Sequence, residues 1–353
     1  MTSAKIVKID PLSFKQEYIN EAIEILKKGG LVIIPTDTVY GIAADPRDQE
    51  ALKKLTRIKQ RPEDKPFSLL VSQKEDREKF CSDVPQTAYK LIDQYWPGAL
   101  TVVLKSKDDS TIGLRMPDQE IALKIIGMFK EGLVCPSANL AGKPAPNNFG
   151  EAIKDLSQQV DMAIDSGDTQ VGRESSVVDL STGALRIIRE GALKKNELQE
   201  TAQKKYVLFV CTGNSCRSVM AEAFLNKMLK GKNRNNVEAI SAGIMMLSGM
   251  GATEATKAVM RDEGIDVSRH RSQRVTKAMI MKSDLILVME RLQEERILQI
   301  APGAKNRVFL LKEFAKIGNT DLDIQDPISR SLDFYQETMA VIKAAIERVV
   351  QII

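Results

Sequence analysis

The stretch Val207-Leu208-Phe209-Val210-Cys211-Thr212-Gly213-Asn214-Ser215-Cys216-Arg217-Ser218 decides how the chain is read. Four β-forming residues run into a cysteine, and a loop holding a glycine and an asparagine follows. Met220, Ala223, Phe224 and Met228 then share one face of an amphipathic segment. The pattern predicts a strand, a tight loop and a helix start just behind Cys211. Helix-start N–H groups, joined by those of a Gly/Asn loop, form a nest for an oxyanion, and Arg217 adds a planar fork of donors suited to phosphate. The same positive field favours Cys211 as a thiolate, its reactive form. A nucleophile at the floor of an anion cradle is the arrangement that phosphoryl transfer to sulfur requires. A lone cysteine at a strand end is more often just a small buried hydrophobe. The arginine six positions on and the serine behind it shift that balance.

This run resembles the active-site loop of the low-molecular-weight protein tyrosine phosphatase family, a Cys-x5-Arg-Ser signature at the N-terminal end of its domain. The resemblance implies catalytic roles for Cys211 and Arg217 and a phosphate-binding loop of Thr212, Gly213, Asn214, Ser215, Cys216 and Ser218. The rest of this half alternates as a doubly wound parallel-sheet fold should. Strands are expected over Val237 to Ile240, ahead of Ser241-Ala242-Gly243, over Asp284 to Met289 and over Arg307 to Leu311. Helices are expected over Thr253 to Glu263 and along the apolar positions 332, 335, 339, 342, 346 and 349. Just before that last helix stands Gln325-Asp326-Pro327. A phosphatase of this type needs a second group to protonate the leaving atom and later to activate water. Asp326 matches the family's Asp-Pro general acid, although Asp-Pro is otherwise a common turn pair. His270, the chain's single histidine, lies in Ser268-Arg269-His270-Arg271-Ser272 and is given no catalytic role.

Substrate preference turns on Ser215. Tyrosine-specific members typically have a bulky apolar residue there and aromatic residues after Asp-Pro, where this chain has Ile328-Ser329-Arg330. Protein-arginine phosphatases of the family have a small hydroxyl residue, so Ser215 tilts the reading toward phosphoarginine. Arsenate reductases on this fold use further cysteines downstream, and none follows Cys216. Cys211 and Cys216 could pair in a protective reversible disulfide under oxidation.

A length of 353 residues suggests two domains. The 43% hydrophobic and 28% charged residues are ordinary for a globular chain, and a net charge of +4 permits anionic ligands without arguing for nucleic acid. Four cysteines, two of them in one loop, do not make a disulfide framework, and a thiolate nucleophile needs a reducing compartment. The start of the chain, with Lys5, Lys8, Asp10 and Pro11, lacks the apolar core of a signal peptide. No apolar run approaches the ~20 residues of a membrane span. These features predict a cytoplasmic protein with no membrane partner. A single histidine largely excludes histidine triads and multi-histidine metal sites.

In the first half, Phe14 to Lys28 has helical spacing ending at Gly29-Gly30, and Leu31 to Ile34 reads as a buried strand broken by Pro35. Thr36-Asp37-Thr38-Val39-Tyr40-Gly41 then places hydroxyls and one carboxylate on a turn at the strand's carboxyl end, where α/β sheets commonly bind ligands. Hydroxyls that merely satisfy the turn backbone are equally expected. After a helix over Asp48 to Ile58, the loop Lys59-Gln60-Arg61-Pro62-Glu63-Asp64-Lys65-Pro66 carries three cations, which suggests an anion site, although a basic loop is usually a solvated face. Trp96-Pro97-Gly98, Arg115 in Gly113-Leu114-Arg115-Met116-Pro117, and Pro136-Ser137-Ala138-Asn139-Leu140-Ala141-Gly142-Lys143-Pro144 follow. Glu174-Ser175-Ser176 and Arg189-Glu190-Gly191 finish the half on two β runs.

Together these motifs resemble the YrdC-like family of threonylcarbamoyl-adenylate synthases over about residues 8 to 193, five of them in the family's order. The resemblance implies a YrdC-like twisted α/β sheet domain that joins L-threonine, bicarbonate and ATP into threonylcarbamoyl-AMP and pyrophosphate. That product feeds a tRNA-modification transferase complex making threonylcarbamoyl-adenosine. By resemblance Lys59, Arg61, Ser137 and Asn139 form a polar tetrad, with Lys65 and Arg189 also serving ATP. Thr36, Tyr40, Arg115 and Ser175 would hold threonine, Arg115 being the natural partner of its carboxylate. Magnesium is expected with ATP, held mostly by phosphates. The expected boundaries are residues 1–192 for this domain, 193–205 for a polar linker and 206–353 for the phosphatase domain. Some synthases of the family carry a C-terminal domain of their own where the phosphatase-like module stands here. The competing readings are a nucleic-acid-binding module in the first half and a phosphate sensor without turnover in the second. Pyrophosphate release dependent on threonine and bicarbonate separates the first pair, and a trapped phosphocysteine separates the second.

Overall fold

The computed structural model describes residues 3–10, 15–60, 62, 67–245, 248–318 and 321–353. The chain divides into two compact units, Met1–Ala202 and Gln203–Ile353. The first begins with β1 (Lys5–Lys8), α1 (Gln16–Lys27), β2 (Val32–Ile34), β3 (Gly41–Ala43), α2 (Gln49–Lys59), β4 (Leu69–Leu70), α3 (Arg77–Phe80) and α4 (Gln86–Tyr95). It continues through β5 (Leu100–Lys105), β6 (Thr111–Arg115), α5 (Glu120–Phe129), β7 (Leu133–Val134), α6 (Phe149–Lys154), β8 (Met162–Asp165), β9 (Ser176–Asp179) and β10 (Arg186–Arg189). Helix α7 (Lys195–Gln203) closes it.

Two sheets, ordered β1-β8-β2-β3 and β10-β9-β5-β6-β4-β7, build this unit. Alternation along the first sheet decides its layers. Leu31 and Ile33 point into one core with Leu55, Leu91 and Leu100, whereas Val32 and Ile34 point into another with Ile19 and Leu26 of α1 and Ile121 and Ile125 of α5. Burial on both faces is why this strand reads as an unbroken apolar run. Helix α1 occupies most of the expected span, Phe14 lying outside the described residues. Helix α2 starts at Asp48, whose carboxylate accepts from the Glu50 and Ala51 N–H groups at 3.0 Å each. It stops at Gln60, which is left-handed with φ 43°, so Lys59 is its last residue.

The polar stretch 193–205, expected as a linker, is mostly α7, and the division between the two units falls inside it. One residue, the fully buried Leu198, seats that helix, and the Tyr95 hydroxyl meets Thr201 Oγ1 at 2.9 Å. A composition averaged over the stretch hides a single anchoring leucine.

The second unit runs β11 (Lys205–Cys211), α8 (Arg217–Gly231), β12 (Val237–Gly243), α9 (Glu254–Asp262), α10 (Lys277–Lys282) and β13 (Leu285–Val288). Then come α11 (Arg291–Ile300), β14 (Val308–Leu310), α12 (Leu311–Phe314) and α13 (Leu332–Ile352). Its sheet, ordered β12-β11-β13-β14, is parallel throughout. Val207 and Phe209 face Leu225 of α8 and Ile342 of α13, while Leu208 and Val210 face Ile280 of α10 and Ile297 of α11. Helices thus cover both faces. The chain leaves β11 toward β12 on one side and later returns to β13 on the other, which makes the carboxyl end of β11 the topological switch point. Cys211 is the last residue of that strand.

Candidate active sites

In the first unit a cavity of about 540 Å³ opens between the turn joining β2 to β3, the end of α2, strands β4, β5, β6, β9 and β10, and the loop after β7. Thr36, Tyr40, Lys59, Arg115, Ser137, Ser175 and Arg189, scattered over most of the unit's sequence, all line it. Gly41 allows the closure. A Cβ there would collide with Cys135 Sγ and press on the Pro136 carbonyl, and Gly41 forms a β-bridge with Ser137.

Lys59, Ser137 and Asn139 form one hydrogen-bonded cluster. The Lys59 ammonium donates to Ser137 O (3.0 Å), Asn139 O (2.9 Å) and Asn139 Oδ1 (2.8 Å), with Ser137 Oγ at 3.3 Å. Arg61 and Lys65, also expected at an ATP site, lie outside the described residues. Across the cavity Arg189 donates through Nε to Ser175 O at 3.0 Å and through Nη1 to Glu174 Oε1 at 2.9 Å. Its Nη2 lies 3.3 Å from Ser175 Oγ, which also pairs with Thr101 Oγ1 at 2.9 Å.

Arg115 is buried, and burial pushes its pKa down against the opposing field of Asp37. It donates from Nη2 to Asp37 Oδ1 (2.5 Å), from Nη1 to Thr38 Oγ1 (2.7 Å) and from Nε to Gly98 O (3.0 Å). Two of the five guanidinium N–H groups remain for another acceptor. Asp37, which the sequence shows only as a turn carboxylate, is the counter-ion that makes this buried charge tolerable. Thr36 lines the cavity, yet its hydroxyl donates to Val39 O at 2.6 Å and receives the Thr38 and Val39 N–H groups at 3.2 and 3.3 Å. Tyr40 also lines the cavity, with its hydroxyl engaged by backbone. Its hydroxyl donates to Gly167 O at 2.8 Å and accepts from Ser166 N at 3.0 Å, and burial raises its pKa to about 12. It offers the cavity no free hydroxyl. Glu174, which lines the cavity, and Asp37 are each taken by an arginine. Among the described residues no group of His, Cys, Asp or Glu is arranged to hold a metal ion, so these side chains do not make a magnesium site of their own.

In the second unit the loop after β11 turns on Asn214, fully buried and left-handed with φ 53°. Its Nδ2 donates to Ser218 Oγ (3.0 Å) and Ser241 Oγ (2.8 Å), and its Oδ1 accepts from Gln273 N (2.9 Å). His270 Nε2 lies 2.7 Å from the Asn214 carbonyl. Burial lowers the histidine pKa and favours a neutral ring that donates there. Ser241 in turn donates to Glu222 Oε2 at 2.5 Å, and burial raises the pKa of Glu222. The network reaches sulfur, since Cys211 Sγ lies 3.0 Å from Ser218 Oγ and accepts from Asn214 N at 3.3 Å.

Arg217 opens α8 with its side chain 1% exposed. Its Nη1 donates to Ile324 O at 2.6 Å and lies 2.9 Å from Glu290 Oε2, while its Nη2 donates to Asp326 Oδ2 at 2.5 Å. Its Nε is buried without a hydrogen-bond partner. An orphaned guanidinium donor is costly, and an oxyanion in the loop would satisfy it. The expected cation and acid therefore pair at the helix start that follows the Cys211 loop, although Asp326 stands far from Arg217 in sequence. Glu290 and Gln293 were missed. Their spacing marks them as a capping box ahead of α11, but not as partners of Arg217 and of Thr212 Oγ1, which Gln293 Nε2 reaches at 3.2 Å. Cys216 is buried, with Ser215 Oγ, Thr253 Oγ1 and the Tyr335 hydroxyl each 3.6 Å from its sulfur, and all four cysteines are free thiols.

Two family profiles match the chain: telomere recombination (Sua5/YciO/YrdC) over residues 24–191 and low molecular weight phosphotyrosine protein phosphatase over residues 206–353. The chain is 35% identical over 207 residues to a putative threonylcarbamoyl-AMP synthase of Methanocaldococcus jannaschii, covering 55% of this chain and 96% of that one. It is 38% identical over 143 residues to the probable low molecular weight protein-tyrosine-phosphatase EpsP of Ralstonia nicotianae, covering 40% of this chain and 92% of that one. The Pyrococcus abyssi Sua5 crystallised with L-threonine shares the fold at 22% identity and a TM-score of 0.53, with 86% of this chain and 99% of that one aligned. Of the longer synthases from Pyrococcus abyssi and Bacillus subtilis, the chain spans only 56% and 58%.

Proposed function

The chain belongs to the Sua5/YciO/YrdC family through its first half and to the low molecular weight phosphotyrosine protein phosphatase family through its second, and from that premise we propose a bifunctional enzyme. The first unit makes L-threonylcarbamoyl-adenylate and pyrophosphate from L-threonine, bicarbonate and ATP, for use by a tRNA-modification transferase complex. One observation carries this reading: residues of four of the five motifs, together with Arg115, line one cavity. Arg115, with two N–H groups to spare, takes the threonine carboxylate beside Ser175 and Thr36. Condensation of the threonine amine with bicarbonate releases water and leaves a carbamate, whose oxygen attacks the α-phosphorus as pyrophosphate departs. Negative charge grows on that leaving group; Lys59 and Arg189 from the cavity, with Arg61 and Lys65 of the same basic sequence motif, are the cations that receive it, and Ser137 and Asn139 orient Lys59. No strong base is required, because positioning does most of the work. A magnesium ion entering with ATP would be held by its phosphates. Pyrophosphate release that needs both threonine and bicarbonate tests the proposal. Release from ATP alone, or none at all, would defeat it.

The second unit hydrolyses phosphorylated protein side chains through a phosphocysteine. Cys211 attacks phosphorus, Arg217 turns its unpaired Nε to the transferring group, and Asp326 protonates the leaving atom and then activates water. Ser215 and the absence of aromatic residues directly after Asp326-Pro327 favour phosphoarginine over phosphotyrosine. Turnover of phosphoarginine and phosphotyrosine peptides by the intact chain, with Cys211→Ser as the inactive control, decides the preference.

A further inference from the structure

Beside the Cys211 loop runs a segment carrying charge of one sign. From Val267 to Ser283 the sequence holds Arg269, Arg271, Arg274, Lys277 and Lys282 and no acidic residue, in a chain whose 51 basic and 47 acidic side chains are otherwise nearly balanced. Arg269, Arg271, Arg274 and Lys277 are exposed. Asp266, just ahead of the run, is turned back onto Ser268, accepting from its N–H at 2.8 Å and lying 3.1 Å from its hydroxyl.

The segment is fixed against the phosphate loop. His270 lies between Arg269 and Arg271 and meets the Asn214 carbonyl at 2.7 Å. Gln273 N donates to Asn214 Oδ1 at 2.9 Å, and Gly243 N and O are bonded to Gln273 O and Val275 N at 2.8 Å each. The segment bearing these arginines is therefore tied to the loop by two hydrogen bonds and to the end of β12 by two. Among the described residues, the hydrogen bonds that join Cys211, Asn214, Ser218 and Ser241 do not involve Arg269, Arg271 or Arg274. A merely solvated face mixes both signs. A one-signed array held in place next to a phosphate site concentrates a polyanion there.

We propose that this segment docks an acidic stretch flanking the phosphorylated residue of a protein substrate, so that the second unit prefers phosphorylated sites with Asp or Glu neighbours. The inference rests on reading that unit as a protein phosphatase. A peptide presents a terminal phosphoryl group, on nitrogen or oxygen, to the loop while its flanking carboxylates, ~3.3 Å per residue away along an extended chain, fall across the neighbouring cations. A nucleic acid offers diesters instead, and the segment has no Phe, Tyr or Trp on which bases would stack.

The test compares the intact chain with an Arg269→Ser/Arg274→Ser variant on three substrates: para-nitrophenyl phosphate, a phosphopeptide flanked by Glu, and the same phosphopeptide flanked by Ser. The peptide pair is made in phosphoarginine and phosphotyrosine forms. The expected result is a kcat/KM about tenfold higher for the Glu-flanked peptide at low salt, a preference lost in 0.5 M salt and in the variant, as rim electrostatics behave. Turnover of para-nitrophenyl phosphate should be unchanged. Equal rates on both peptides in the parent, or a preference that survives in the variant, overturns the docking role while leaving the phosphatase reading intact. Stronger inhibition by transfer RNA than by the unphosphorylated Glu peptide also overturns it, in favour of a nucleic acid partner. No turnover of any of the three substrates overturns the phosphatase reading and this inference with it.

Discussion

Asp326 and Arg217 meet at 2.5 Å, so the two groups proposed to divide labour over one phosphoryl group hold each other first. A phosphate dianion would draw the guanidinium to itself and release the carboxylate toward the leaving atom. Replacing Asp326 with Ala should therefore lower kcat on a poor leaving group by about 10²–10⁴-fold, the usual range for a lost general acid, and leave a phosphocysteine detectable by mass spectrometry. An Asp326→Ala enzyme with unchanged kcat would remove Asp326 from the mechanism. Ser215 is the residue on which the proposed substrate preference rests. Its hydroxyl lies 3.6 Å from Cys216 Sγ within the loop. A Ser215→Ile variant should shift the ratio of kcat/KM values from phosphoarginine toward phosphotyrosine peptides by about tenfold, which corresponds to ~1.4 kcal/mol of differential transition-state binding. A ratio that does not move would show that the selectivity lies elsewhere.

At the scale of elements, the loop keeps its shape because β12 ends flush against it. A Cβ on Gly243 would come within 2.8 Å of Thr212 O and 3.0 Å of Asn214 N, both backbone atoms that cannot step aside singly. A Gly243→Ala change should cost about 1–3 kcal/mol as an overpacked site does, and should depress phosphatase turnover while leaving pyrophosphate release by the first unit unaltered. Urea titration together with both assays checks this, and full phosphatase activity would mean that the loop yields more easily than its contacts suggest. The strand, loop and helix around Cys211 were legible because every signal in them is local: an apolar run, turn residues, and an apolar period of helical spacing. Their supports were not. Asn214 is held by Ser241 and Gln273, 27 and 59 positions away, and Asp37 neutralises an arginine 78 positions on. No spacing rule joins such pairs, since the sheet brings them together. Tyr40 shows the same limit. Its motif is visible in sequence, but the 166–167 backbone that takes its hydroxyl is not. Helix α7 was lost for the opposite reason, a single leucine among polar neighbours.

At the scale of the whole molecule, each unit has its own buried cores, and no residue is common to the cores of both. Each should unfold in its own transition, and the chain's one tryptophan separates them. Trp96 is 2% exposed in the first unit, so its fluorescence reports that unit within the intact protein. Burial pushes the Cys81 thiol up to about 11 and the Cys135 thiol to about 12, with Arg115 pulling Cys135 partly back, and Tyr40 rises to about 12. Each of these groups keeps its proton in the folded state after the unfolded chain has lost it. The folded state therefore binds more protons from about pH 9 upward. The stability these groups contribute is complete below that pH and falls as pH rises through the folded values, by at most about 1.4 kcal/mol per pH unit for each group. Urea midpoints followed by Trp96 emission should be level from pH 7 to 8.5 and should drop between pH 9 and 11. A Cys81→Ala variant, less stable throughout because of the cavity it leaves, should show a shallower drop over that window. Parallel curves for parent and variant would mean that Cys81 ionises as readily in the folded unit as in the unfolded chain, and that its burial does not govern its chemistry.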